Sequence, residues 1–222
     1  MTTTTSRSRY AVTRRDAWRD ALAGNHVGAY RRFRAAAALA PSDAWRVLAL
    51  ADRAALAREL GELLTAADAI GEAEELADRI DWNATSSDER CGLLLLAVLL
   101  APQTPAWAQA RLDTYSSIAT KGDPDAAAGV SNDKHQRAAE AYAFGATAAA
   151  CGRASEAIPL LGEAFELYRE RRYDWRAVAV ALDLHELNGD AALLAFARKR
   201  ALRVPHSWLA RRVAKTEARD RC

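Results

Sequence analysis

The chain has 222 residues, of which 27% are charged, and a formal net charge of +2, a balance that by itself points to no special partner. Only 11 glycines and 6 prolines interrupt it, and runs of Val, Ile and Thr that would make strands are absent. Alanine and leucine, which lose little side-chain freedom in a helix, dominate instead, so the chain is read as all-α.

Residues 1–10 are rich in Thr, Ser and Arg without an apolar core, which reads as a disordered tail and not as a secretory signal. A first hairpin follows from about Thr13 to Leu39. Its first helix carries Ala17, Trp18, Ala21 and Leu22 on one stripe and stops near Gly24-Asn25, and its second carries Ala29, Phe33, Ala36 and Leu39 and stops at Pro41. Ser42 or Asp43 caps the next helix, which begins with Trp45, Leu48 and Ala49. A longer connection then leads to a return helix from about Leu64 to Ile80, bearing Ala69, Ala73 and Leu76. Ser87-Asp88 caps a third, very apolar helix that ends at Ala101. Its run from Leu93 to Ala101 is too short to cross a bilayer, which takes about 20 residues. Pro102 and Pro105 mark a turn before a helix with Ala108, Leu112 and Tyr115, closing an N-terminal half at 11–119.

Residues 120–133 (TKGDPDAAAGVSND) have no periodicity and read as a mobile loop or hinge. Asp123 and Asp125 within it do not make a calcium loop, because the glycine is misplaced and Lys134 stands where a bidentate Glu is needed. The C-terminal half, 134–222, holds a hairpin from Arg137 to Arg171 and another from Tyr173 to Arg200, turning at Asn188-Gly189-Asp190. A final amphipathic helix with Trp208, Leu209 and Val213 is capped by Ser207.

One spacing recurs along this series. Ala17, Ala29, Phe33, Ala36 and Pro41 are matched in offset by Gly145, Ala157, Leu161 and Ala164, and in part by Ala179, Ala191 and Ala195. Small residues at fixed positions let the helices of a hairpin approach closely, and a repeat of about 34 residues is what stacked hairpins need. Trp45-Arg-Val-Leu48-Ala49, Ala141-Tyr-Ala-Phe144-Gly145 and Trp175-Arg-Ala-Val178-Ala179 resemble the first half of the tetratricopeptide (TPR) repeat signature. Ala29/Phe33/Ala36/Pro41 and Ala157/Leu161/Ala164 resemble its second half. The resemblance covers Val12 to about Leu202. It departs from the pattern at Asp16, which takes a Leu position, and in most hairpins, which lack the closing Pro. It implies a TPR-like right-handed α-solenoid of about five helical hairpins plus a C-terminal capping helix.

The segment from Ala139 to Asp190, with Pro205-His-Ser-Trp-Leu-Ala-Arg-Arg212, also resembles the helical-repeat region of large bacterial LuxR-type transcriptional regulators. No phosphate-binding G-x-x-x-x-G-K-[ST] loop accompanies it, and no helix-turn-helix follows Arg212. What it implies is the sensing or partner-binding part of such a regulator.

These readings point to a non-catalytic protein-binding module, cytoplasmic and bacterial in character. The four histidines are scattered, no motif pairs a Ser or Cys with a base, and three cysteines without redox or metal spacing read as reduced thiols. No cofactor or metal is expected. In a TPR-like solenoid the first helices of the hairpins line the concave face, which places Arg14, Arg46, Arg53, Tyr142, Arg176 and Asp183 in a partner-binding groove. Its arginines suit an acidic or carboxylate-bearing protein or peptide. Leu50, Ala146 and Val180 form an inner row there, an apolar floor fit for a partner helix.

Two alternatives remain at this stage. Basic clusters at Arg31, Arg32 and Arg34, and from Arg198 to Arg212, suit nucleic-acid phosphates, although residues 59–140 carry 15 acidic against 6 basic side chains. A small-molecule sensor domain is the other. The six tryptophans, evenly scattered, read as packing residues between repeats.

Overall fold

The computed structural model describes residues 3–122, 134–170, 174–203 and 207–220, and among them every regular element is helical. The helices are α1 (Thr3–Leu22), α2 (His26–Leu39), α3 (Asp43–Leu60), α4 (Leu63–Ala77), α5 (Ser87–Leu100), α6 (Pro105–Gly122), α7 (Lys134–Ala150), α8 (Ala154–Glu170), α9 (Asp174–Asn188), α10 (Ala191–Ala201) and α11 (Trp208–Asp220). No helix among the described residues is long and apolar enough to cross a membrane.

Local chemistry sets most of the boundaries. The Ser42 hydroxyl accepts from the Trp45 amide at 3.4 Å and starts α3. Gly61 ends it in the left-handed region at φ +78°, a conformation that costs a residue with a side chain about 1 kcal/mol or more. Ser86 and Glu89 close a reciprocal capping box at the head of α5. Asn188 Oδ1 accepts from the Asp190 amide at 2.9 Å, and the Asp190 carboxylate then accepts from the Ala192 amide at 2.8 Å to begin α10.

Three boundaries differ from expectation. The first helix begins at Thr3 instead of near Thr13, and Tyr10, at the end of the stretch read as a tail, is 1% exposed, with its hydroxyl donating to the Trp45 carbonyl at 2.9 Å. A chain of short polar residues is helical here because one aromatic anchor finds a pocket on α3. The α3–α4 connection is a tight two-residue turn, not a long link, since the Gly61 cap lets the chain reverse at once. Most of the 120–133 stretch lies outside the described residues, with α6 running to Gly122.

Consecutive helices pair as α1/α2, α3/α4, α5/α6, α7/α8 and α9/α10; α3, α5, α7 and α9 also touch in turn along the row, and α1 reaches α3 through Tyr10 and Arg14. Ala17, Ala29, Phe33 and Ala36 are all fully buried, as are Ala157, Leu161 and Ala164. Gly145 shows why a small residue recurs there: a Cβ added to it would lie 2.8 Å from Leu161 Cγ and 3.1 Å from the Leu161 amide nitrogen, so α7 and α8 approach too closely for a side chain. Gly92 does the same between α5 and α3, where a Cβ would stand 3.2 Å from Val47 Cγ1 and 3.3 Å from the Leu48 amide.

The last helix brings the two ends of the row together. Besides α9 and α10, α11 touches α1 and α3. One apolar cluster joins Ala17, Ala21, Phe33 and Leu56 to Val178, Leu182, Trp208, Leu209 and Val213. Trp18 of α1 stacks on Trp175 of α9 with centroids 4.5 Å apart, and Trp175 meets Trp208 edge-on at 6.1 Å. Each such aromatic pair adds about 0.5–1.5 kcal/mol beyond the area it buries.

Candidate functional site: a cavity between the inner helices

With its ends joined, the row of inner helices borders a half-open cavity of about 1040 Å³ lined from α1, α3, α5, α7, α9 and α11, with Leu161 and Tyr168 of α8. The lining follows helical periodicity. On α3 it is Trp45, Leu48, Asp52, Ala55, Arg58 and Glu59, and on α11 it is Trp208, Arg211, Arg212, Lys215, Thr216 and Arg219.

Four of the six residues expected in the groove line this cavity: Arg14, Tyr142, Arg176 and Asp183. Arg46 and Arg53 do not. Each follows a lining residue, Trp45 or Asp52, and a step of one residue turns a helical side chain about 100° away. Arg46 therefore faces α4, where it pairs with Glu72 at 2.7 Å in an exposed ion pair. Of the expected inner row, only Ala146 reaches the cavity, while Leu50 and Val180 are buried in the cores between helices. Trp18, Trp45, Trp175 and Trp208 line the cavity, whereas Trp82 is buried elsewhere and Trp107 is 58% exposed.

Two ion networks stiffen the wall. Arg14 grips the fully buried Asp52 through Nε and Nη2, the second contact at 3.2 Å. Burial alone would lower the pKa of Arg14, but the Asp52 carboxylate beside it raises it well above the ordinary guanidinium value. Burial pushes the nearby Tyr10 phenol far up as well, so both groups keep one charge state across the physiological range. In the second network Arg212 binds Asp183 and, at 3.3 Å, Glu59, while the Tyr142 hydroxyl donates to Asp183 Oδ2 at 3.0 Å. Arg58 donates to the Leu99 carbonyl at 2.6 Å, and burial pulls its pKa below the usual range.

Sequence reasoning missed Asp52, Arg58, Glu59 and Arg212. Asp52 did carry a signal, a lone carboxylate on the apolar stripe between Leu48 and Leu56, and a charge there needs a partner. Arg212 was grouped with a basic surface cluster, but its guanidinium turns inward to two carboxylates. Arg32 of the other cluster pairs with Asp20 at 2.6 Å.

The thiol of Cys91 also faces the cavity, and burial lifts its pKa to about 11, with Arg14 and Arg176 offsetting only part of the rise. At neutral pH such a group is a thiol, not the thiolate that nucleophilic chemistry requires. Among the described residues no group of three His, Cys, Asp or Glu side chains gathers as a metal-ligand set.

Comparison of the chain with protein-family models, with curated proteins and with solved structures returned no match.

Proposed function

We propose that this chain is a non-catalytic, TPR-like recognition module in a regulatory setting, and that its guest is a molecule small enough to enter the central cavity. The volume of about 1040 Å³ carries the reading. It lies at the upper end of the roughly 300–1,000 Å³ usual for ligand pockets. A helix with its side chains is about 10–12 Å across, so the cavity would admit only about two turns of one. The expected partner helix in an open groove thus gives way to a small molecule, or to the short end of a peptide. Binding such a guest would tie α11 to α1 and α3, and that tie is the element a sensor would bias.

The test is a thermal-shift screen of metabolite-sized compounds and short peptides against the wild type and Ala146→Phe, which fills the cavity from α7. Compounds that raise the melting temperature of the wild type alone support the reading. Stabilisation that is equal in both proteins refutes it.

A protein partner on the outside is a second reading, favoured by one observation. Val27, Leu63 and Leu64 are 63%, 66% and 84% exposed, and Glu62 lies against Tyr30, so these side chains gather at one set of turns. A partner captured by the wild type and by Ala146→Phe, but lost with Leu64→Glu, would establish that surface instead.

A further inference from the structure

The charges lining the cavity do not balance. Nine cationic side chains face five carboxylates, and every one of those carboxylates is already engaged. Asp52 is held by Arg14, Asp88 by Arg7, Asp183 and Glu59 by Arg212, and Glu186 by Arg219. Arg15 pairs with Asp16, and Arg58, Arg176, Arg211 and Lys215 remain with no carboxylate at ion-pair distance among the described residues. Arg211 and Lys215 are exposed, whereas Arg58 and Arg176 are partly buried, so an anion entering the recess gains most from these last two.

Arg176 is the best prepared of the four. Its guanidinium lies over the Trp175 ring at 4.9 Å and the Tyr168 ring at 5.5 Å, and Nη1 donates to the Tyr168 hydroxyl at 3.3 Å. Aromatic faces and one hydrogen bond fix the plane of the fork and leave its other N–H groups unused. A guanidinium held in that way loses little freedom on binding, and its geometry matches two oxygens of one anionic group. Much of the rest of the lining is apolar or aromatic, including Trp45, Leu48, Leu94, Leu95 and Val98.

Taking the cavity as the guest site, as proposed above, we infer that its ligand is an anionic organic molecule with an apolar or aromatic body, whose carboxylate or phosphate is anchored by Arg176. The body replaces water against the apolar wall, and the remaining cations set the preference for negative charge.

Tryptophan-fluorescence titration of the full chain, checked by equilibrium dialysis, tests this with three probes of one shape: benzoate, phenyl phosphate and the uncharged benzyl alcohol. The expected result is saturable binding of an anion and weaker binding of the alcohol. The tighter of the two anions distinguishes a carboxylate from a phosphate guest. A hydrogen-bonded charge pair contributes about 1.5–3 kcal/mol, so Arg176→Gln weakens the anion by about tenfold or more. Arg46→Gln, on the outer side, leaves it unchanged. Should Arg176→Gln fold poorly, Arg176→Lys keeps the charge but not the fork, and a loss of benzoate affinity there carries the same meaning.

Anion affinity unchanged in both Arg176 variants overturns the proposal. So does benzyl alcohol binding as tightly as benzoate, in which case the cavity still takes guests and only its charge preference falls. Failure of all three probes into the millimolar range overturns the proposal too, and failure of the broader thermal-shift screen as well removes the guest site itself.

Discussion

Replacing Arg212 by Met removes the cation that holds α11 against α3 and α9. The side chains of Arg212, Asp183 and Glu59 are 19%, 23% and 28% exposed, so the network is mostly, but not wholly, out of water. Breaking a buried pair by removing one partner costs about 3–5 kcal/mol, because the other charges stay buried without compensation. Partial exposure, and the hydrogen bond that Tyr142 still gives to Asp183, favour the low end, about 3 kcal/mol. In a chain of this size each kcal/mol moves the melting temperature by about 2–4 °C, so a fall of about 6–12 °C is expected in a circular-dichroism melt. Hydrogen exchange should show the amides of α11 losing protection before those of α5. Adding Glu59→Gln and Asp183→Asn to Arg212→Met removes the stranded charges and should recover most of the loss. A fall of less than about 2 °C for Arg212→Met would put the network among exposed ion pairs and refute its role in holding α11.

Three further outcomes are expected. Gly145→Ala forces a Cβ against Leu161 and its backbone, and overpacking of this kind costs about 1–3 kcal/mol, read from chemical denaturation; an unchanged midpoint would mean that α7 and α8 separate freely. His185 places Nδ1 2.9 Å from the Asp190 carbonyl and Nε2 2.8 Å from the Asp220 carboxylate, two acceptors that only the imidazolium satisfies together. Burial opposes that charge, yet Asp190, Asp220 and Glu186 outweigh it and raise the pKa. Its contribution is therefore complete below the unfolded value of about 6.5 and is lost as pH rises through the raised folded value. Melting temperature should fall over that interval and fall less in His185→Gln; identical profiles would dismiss the link. Ellman's reagent at pH 8 followed by mass spectrometry should modify exposed Cys151 well before Cys91, whose thiol titrates at about 11; equal rates would mean that the cavity wall opens readily.

The helices were legible because their apolar residues follow one period and their ends carry caps and turn residues, as at Ser42 and Asp190, whereas the tight turn at Gly61 was not. Spacing also picked out the close approach of Gly145 to Leu161, a contact within one hairpin. Tyr10 was not legible, since nothing in its own neighbourhood announces the pocket on α3 that holds it. The same is true of the cavity. Its charged wall pairs Arg14 with Asp52 and Arg212 with Glu59, residues 38 and 153 positions apart, and such separations leave no local pattern. Arg46 and Arg53 missed it by one helical step, because a groove inferred from sequence fixes the helix but not the rotation to better than one residue.

The meeting of α11 with α1 bears on how the chain comes apart. A row of hairpins held only by adjacent contacts can lose units from a free end, each step costing one interface. Here the cluster of Ala17, Ala21, Val178 and Val213 makes the first and last helices neighbours, so neither end is free to peel. Unfolding is then one concerted event, and folding waits on contacts between residues far apart in the chain, which is slow for a helical protein.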